Sequence, residues 1–324
     1  MNVLLVGLGR WGEQHLRVLS QLGATVWVAE VSAARRQWAV GQGIDPARVS
    51  DDFRTALPRV DAVDIVTPAD SHRMVAEACL AAGCHCFVEK PLTVSVADAR
   101  AVAAAAEAAN RVVQVGHIFR FHPVTTALGA ALVAGRIGRV RYATGRFAGL
   151  KRPRTDVGVT QTDAIHYFDL FAYLLGREAT RVSAVQRDYL GRGLDDMSVT
   201  IVVYDDVPLI VEANYFAPGS QRDCVIVGER GALVADFGSS SVTLHVGEHR
   251  QSNDIWEAVD QGKEDLPAAG PEPLWQELKE FLAACQGHGP NRVPAEAGVH
   301  ALEIVEAAAR AAQLERAVSI AEVR

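Results

Sequence analysis

Three groups of residues in this sequence have the types and spacing to do chemistry. The first is Gly7-Leu8-Gly9-Arg10-Trp11-Gly12, a glycine triplet followed further along by an acidic residue, Glu30. Glycines at that spacing let backbone turn tightly, approach a pyrophosphate and pack a helix close to a strand. The second is a pair able to move a proton: Lys90, in Glu89-Lys90-Pro91, and His166, in Asp163-Ala164-Ile165-His166-Tyr167-Phe168-Asp169-Leu170. Histidine titrates near neutrality unaided, and burial beside another positive charge lowers a lysine. Oxidising a secondary alcohol needs a hydride acceptor and a base for the hydroxyl proton. One of the pair can take that proton while the other polarises the oxygen. The third is a run holding Arg146, Lys151, Arg152 and Arg154, whose guanidinium forks suit phosphate. Each group also has a plainer reading: a tight strand-to-helix turn, a solvated lysine, a packed helical histidine, a solvated loop.

The elements that must position these residues follow from periodicity. The glycine triplet sits between a strand-like run over 3–6 and a helix over 13–22, and a second strand-like run over 24–29 ends at Glu30. Alternation continues with strands over 61–66, 84–88 and 111–115 and helices over 71–82 and 95–110. Strands alternating with helices of this length make a parallel, doubly wound sheet. Ligands bind beyond the carboxyl ends of such strands, where Thr67-Pro68 and Glu89-Lys90-Pro91 fall. Glu30 is placed to bond the adenosine ribose and to repel a 2′-phosphate, which favours NAD over NADP. Arg35 and Arg36 keep the phosphate alternative open.

In the second half, Arg120 lies in the joining segment 116–123 and reads as a substrate or cofactor contact, or as an interdomain salt bridge. A helix over 121–134 and a strand over 139–147 lead into the cationic run, expected to loop over a cleft ahead of the His166 helix. On that helix Ile165, Phe168, Ala172 and Leu175 form the expected core stripe, with His166, Asp169 and Tyr173 on another face. From 181 to 246, strand-like runs follow one another with short polar turns, which means an antiparallel sheet. One face is expected to pack on the His166 helix and the other to be covered by a partner subunit. Helices over 273–285 and 295–316 close the chain.

The fold class is therefore α/β. An N-terminal doubly wound parallel (Rossmann) sheet occupies 1–118. A C-terminal α+β domain with a mainly antiparallel open sheet occupies 119–324, its helices over 295–316 free to pack back on the first. Two domains suit 324 residues at about 150 residues each. A net charge of -7 argues against a nucleic-acid coat, which shows a basic excess. No apolar run approaches the roughly 18 residues that span a bilayer. The start Met1-Asn2-Val3-Leu4-Leu5 has no basic leader and reads as the first strand of a cytoplasmic protein, and an odd five cysteines fit a reducing compartment. Cys79, Cys84, His85 and Cys86 lack a second ligand pair at zinc spacing, so no metal is expected and the cysteines read as core.

Taken together, the glycine triplet, Thr67-Pro68 with His72 four residues after the proline, and Glu89-Lys90-Pro91 resemble the glucose–fructose oxidoreductase/inositol dehydrogenase/rhizopine catabolism (Gfo/Idh/MocA) family over essentially the whole chain. The resemblance implies an NAD(P)-dependent sugar or cyclitol dehydrogenase. It implies Lys90 as catalytic lysine, with Glu89 and Pro91 shaping its turn, and His166 as catalytic histidine. It also implies a cofactor site drawing on Gly7, Gly9, Arg10, Trp11, Gly12, Glu30, Arg35, Thr67, Pro68, His72, Glu89, Lys90 and Pro91. Substrate contacts fall to Lys90, Arg120, Lys151, Arg152, Asp163 and His166, and a homodimer or homotetramer is expected through the C-terminal sheet. The segment Arg120-Phe121-His122-Pro123 is similar to a sub-group that oxidises UDP-N-acetylhexosamines at C3. One departure stands out: the family usually carries a carboxylate four residues before the histidine, and here that residue is Thr162, with Asp163 next to it. Either Asp163 orients the imidazole at i, i+3 or Thr162 caps the helix. Three functions follow: a nucleotide-sugar dehydrogenase, a free sugar or inositol dehydrogenase, and a sugar- and NAD-sensing regulator without turnover.

Overall fold

A computed structural model describes residues 1–324. The chain divides into two compact units, one of residues 1–118 with 272–302 and one of residues 119–271 with 303–324. The first unit opens β1 (Asn2–Val6), α1 (Arg10–Gln21), β2 (Thr25–Ala29), α2 (Ala33–Gly41), β3 (Val49–Ser50), β4 (Ala62–Ile65), α3 (His72–Ala81), β5 (His85–Glu89), α4 (Val96–Ala109) and β6 (Val113–Gly116). The second runs through α5 (Pro123–Val133), β7 (Val140–Gly149), α6 (Ile165–Leu175), β8 (Ala179–Arg187), β9 (Met197–Tyr204), β10 (Val207–Asn214), β11 (Ser220–Gly228), β12 (Gly231–Asp236), β13 (Ser241–Ser252) and β14 (Ile255–Leu266). The chain then enters α7 (Pro273–Cys285) and α8 (Ala295–Leu314), and ends in β15 (Val318–Ser319).

In the first unit six parallel strands lie in the order β3-β2-β1-β4-β5-β6. Helices cover both faces of such a sheet, which is why β1, β4 and β5 read as nearly unbroken apolar runs. Strand order reverses between β1 and β4, the position at which these sheets take a ligand. Val3, Leu5, Val26, Val28 and Phe87 form its core with Leu16 and Leu19 of α1. Leu274, Leu278 and Phe281 of α7 complete that core, four and three residues apart on one helical face. So α7 groups with the first unit, where the sequence reading expected only 295–316 to return.

The second unit holds a nine-stranded sheet, β14-β13-β12-β11-β7-β10-β9-β8-β15. Its pairs are antiparallel except β7 with β10, where the chain crosses over through α6, β8 and β9. One face buries Ala143, Val202, Tyr204, Leu209, Val211 and Ile226. Helix α6 is fixed over it by two tyrosines. The Tyr204 hydroxyl donates to the Phe168 carbonyl (2.7 Å), and the Tyr167 hydroxyl donates to the carbonyls of Arg146 (2.9 Å) and Asp223 (2.8 Å). The Tyr167 ring fits because residue 145 is glycine: a Cβ there would lie 2.7 Å from it. The opposite face exposes Tyr142, Val185, Val199, Ile201, Ile210 and Val234. No helix is long and apolar enough to cross a membrane. Cys79, Cys84 and Cys86 are buried, and all five cysteines are free thiols.

Candidate functional site

In the first unit the candidates gather at the carboxyl ends of β1, β2, β4 and β5. Gly7 leaves β1 with φ +94°, and a Cβ on it would lie 2.7 Å from the Val66 carbonyl oxygen, so only glycine makes this turn. A Cβ on Gly12 would sit 2.3 Å from the Gly7 carbonyl oxygen, so α1 approaches the turn only through glycine. Gly9 caps α1 without a side-chain bond and faces open space, which leaves the first-turn N–H groups and the helix dipole for an anion. Arg10 and Trp11 stand exposed on that turn.

Glu30 is buried against the glycine turn. Its Oε2 accepts the Leu8 N–H (2.7 Å) and its Oε1 the Ser32 N–H (2.8 Å), and a carboxylate has lone pairs to spare for ribose hydroxyls. Arg35 donates to the Leu8 carbonyl and pairs with Glu13 at 3.1 Å; Arg36 donates to the carbonyls of Glu30 (2.7 Å) and Val31 (2.9 Å). Both guanidiniums are thus engaged with the protein's own oxygens.

His72 ties the end of β4 to the turn after β5. Its Nε2 lies 2.9 Å from the Thr67 carbonyl oxygen and its Nδ1 3.0 Å from that of Pro91, and burial pushes its titration below the ordinary value. Pro68 is exposed beside Thr67. The Lys90–Pro91 bond is cis. Glu89 is buried; its carboxylate accepts the Trp11 Nε1–H (2.8 Å) and the Lys90 amide (3.1 Å). It has room because its register partner on β6 is Gly116, where a Cβ would come within 2.8 Å of it.

In the second unit His166 lies buried, with the rings of Phe119 (4.8 Å between centroids) and Phe147 (5.2 Å) near parallel to its own. Phe237 stacks on Phe119 at 4.3 Å. Helix α6 is buried on all sides through Phe171, so the expected split into a core stripe and a polar face does not hold. Asp169 is accommodated because Arg120 pairs with it bidentately (Nε–Oδ2 2.8 Å) and also lies over the Tyr173 ring. Asp169 and Tyr173, which engage Arg120 here, both belong to the second unit.

Residues 160–164 form a π turn ahead of α6, anchored where the Asp195 carboxylate accepts the Thr160 amide (2.8 Å) and hydroxyl (2.6 Å). This wide turn overrides the helical spacing assumed from sequence. Thr162 is not a cap: its hydroxyl meets Tyr215 OH at 3.0 Å. Asp163 pairs with Lys151 Nζ at 2.6 Å. Burial pushes the half-buried Lys151 down, with Asp163 opposing, and its ammonium lies over the Phe147 and Tyr215 rings. Arg146 pairs with Asp223 at 3.0 Å and Arg154 with Asp156, while Arg152 is exposed. The cationic run is thus largely a set of ion pairs rather than a bare positive loop.

Sequence reasoning missed several neighbours. Arg222 lies 3.5 Å over the Phe147 ring and Tyr215 beside Lys151, while Phe119, Phe147 and His166 form one ring cluster; these residues come from separate elements and left no local signal. His15 and Asp64 left one: a charge in the middle of an apolar strand and a histidine three residues after the glycine triplet.

Residues 1–117 match a family model described as oxidoreductase family, NAD-binding Rossmann fold, and residues 130–320 match its C-terminal alpha/beta domain. UDP-N-acetylglucosamine 3-dehydrogenase of Acidithiobacillus ferrooxidans is 29% identical over 298 residues, 90% of each chain. Its solved structure superposes with a TM-score of 0.84 at 26% identity, covering 97% of this chain and 98% of that one. Inositol 2-dehydrogenase 2 of Saccharopolyspora erythraea is 30% identical over 254 residues, 76% of this chain and 73% of that protein.

Proposed function

The chain belongs to the Gfo/Idh/MocA oxidoreductase family, and on that premise we propose that it is an NAD-dependent dehydrogenase acting on a secondary hydroxyl of a sugar, foremost a nucleotide sugar. One observation carries the reading: Lys90 stands at the end of β5, two strands across from the glycine turn that ends β1. The glycine turn fits a dinucleotide, since a Cβ at Gly7 or Gly12 would block it and the start of α1 offers uncapped N–H groups. Glu30 and the two engaged arginines favour NAD over NADP.

When bound, the dinucleotide supplies the hydride acceptor. The chain's own residues do the rest. Lys90 takes the hydroxyl proton while His166 polarises the oxygen. Lys151, with Asp163, and the exposed Arg152 hold the substrate, and Arg222 adds positive charge beside them. That charge and the first relative support a nucleotide sugar. The ion pairs of Arg146, Lys151 and Arg154 favour the second reading, a free sugar or inositol, which has no diphosphate to neutralise. A sensor without turnover has no need of Lys90. The exposed apolar sheet face supports a homodimer or homotetramer, and five free cysteines suit the cytoplasm.

Absorbance of reduced nicotinamide, with NAD and NADP tested separately against UDP-sugars, free sugars and inositols, tests the proposal. Turnover with NAD and a UDP-sugar, with a raised KM for it in the Arg152→Ala variant, is the expected result. Turnover only with a free sugar or inositol selects the second reading, and NAD binding without turnover across the panel selects the sensor.

A further inference from the structure

Beneath the glycine turn lies a group of charges that the proposed reaction does not use. His15 on α1 is fully buried, with Nδ1 2.8 Å from Asp64 Oδ2 and Nε2 3.3 Å from Glu89 Oε1. Asp64 is fully buried in mid-β4. Burying three ionisable groups is costly unless they compensate one another, and such groups tend to mark functional sites. The chain sets a problem that this cluster answers. Glu89 must stay ionised to accept the Lys90 amide and the Trp11 indole N–H, yet it lies close enough to Lys90 for the two charges to stabilise each other. A carboxylate at that range holds an ammonium's proton, the opposite of what a base requires.

We propose that His15, clamped as an imidazolium by Asp64, is a positioning residue that neutralises Glu89, so that Glu89 anchors the Lys90 turn without gripping the Lys90 ammonium. The inference rests on the reading of Lys90 as the proton-handling residue. Burial opposes the charge on His15, but Asp64 and Glu89 outweigh it and raise its titration to about 10. Burial likewise opposes the charge on Glu89, and His15, Trp11 and Lys90 hold it below the usual carboxylate range. Burial raises Asp64, with His15 opposing. His72 is a further titratable neighbour of Glu89, and burial pushes its titration below the ordinary value. Trp11, on the glycine turn, grips the same carboxylate and so ties the cofactor loop to the lysine turn.

The test reads Lys90 directly. The chain has four lysines, Lys90, Lys151, Lys263 and Lys279, so lysine labelled with 13C at Cε gives four signals, and Lys90→Met assigns one. His15→Gln keeps a hydrogen-bond donor and removes the charge. Asp64, the deeper carboxylate, then takes a proton, while Glu89 keeps its charge unopposed. The Lys90 midpoint is expected to rise by about one pH unit, within the range for an opposite charge at close quarters. An unchanged midpoint in a folded His15→Gln variant overturns the proposal. Should that variant not fold, 15N imidazole signals of the unmodified protein decide: one histidine doubly protonated at about pH 8.5 supports it, and none overturns it. Neither readout needs substrate. If Lys90→Met keeps its turnover, the reaction assigned to Lys90 fails while the charge pairing still stands or falls on these signals.

Discussion

Glu30 is the single side chain on which the proposed preference for NAD rests. Its carboxylate is fixed by the Leu8 and Ser32 amides before any ribose arrives, so no rotamer freedom is lost on binding. Glu30→Ala is expected to weaken NAD at least about tenfold, the loss of a bond to a charged group, and to narrow the gap to NADP. Fluorescence titration with each dinucleotide checks both halves. His15 makes a prediction about stability. Its folded titration at about 10 lies above its ordinary 6.5, so its proton stabilises the fold fully below about pH 6.5 and less and less as pH rises towards 10. The urea stability of the unmodified protein is therefore expected to fall as pH rises from about 6.5 towards 10, this group contributing at most about 1.4 kcal/mol per unit. At this scale the sequence was informative about placement where a residue's own neighbours in the chain define it: Gly7 and Gly12 make the turn, and Glu30 and Lys90 follow the ends of β2 and β5. It was silent where a distant partner decides. Nothing near Arg120 in the chain points to Asp169, and nothing near Lys151 points to Asp163.

Elements carry the site by where they end. The alternation of apolar strands and helices in the first unit follows from burial on both sheet faces, which made β1, β2, β4 and β5 readable within a residue or two. The π turn at 160–164 was not readable, because it is imposed by Asp195 holding Thr160 rather than by local propensity. Nor was β14: its side chains are almost all exposed, so it has no apolar alternation, and backbone pairing with β13 alone defines it. The closeness of α1 to the β1 turn makes a stringent test. Gly12→Ala puts a methyl group against the Gly7 carbonyl oxygen and forces helix and strand apart. A loss of about 2 kcal/mol in urea unfolding is expected, and a neutral substitution would mean that the turn is looser than described.

Across the whole molecule, the residues of the proposed reaction fall in two compact units: the first, with the NAD-binding Rossmann fold, holds Lys90, and the second holds His166, Lys151 and Arg152. The mainly antiparallel sheet was legible from its short polar turns, whereas the parallel β7–β10 pair depends on a crossover that no local pattern encodes. Its apolar open face argues for a partner copy. Ile201→Asp with Ile210→Asp is expected to yield monomers by light scattering, and an unchanged assembly would place the interface elsewhere. The central claim, that the first unit binds NAD and that Lys90 moves the proton, is tested most directly by Lys90→Met. Turnover should fall at least about a hundredfold, the contribution of a positioned general base, while the Kd for NAD stays within about threefold. Turnover within a few-fold of the unmodified enzyme, at equal NAD affinity, would contradict the account.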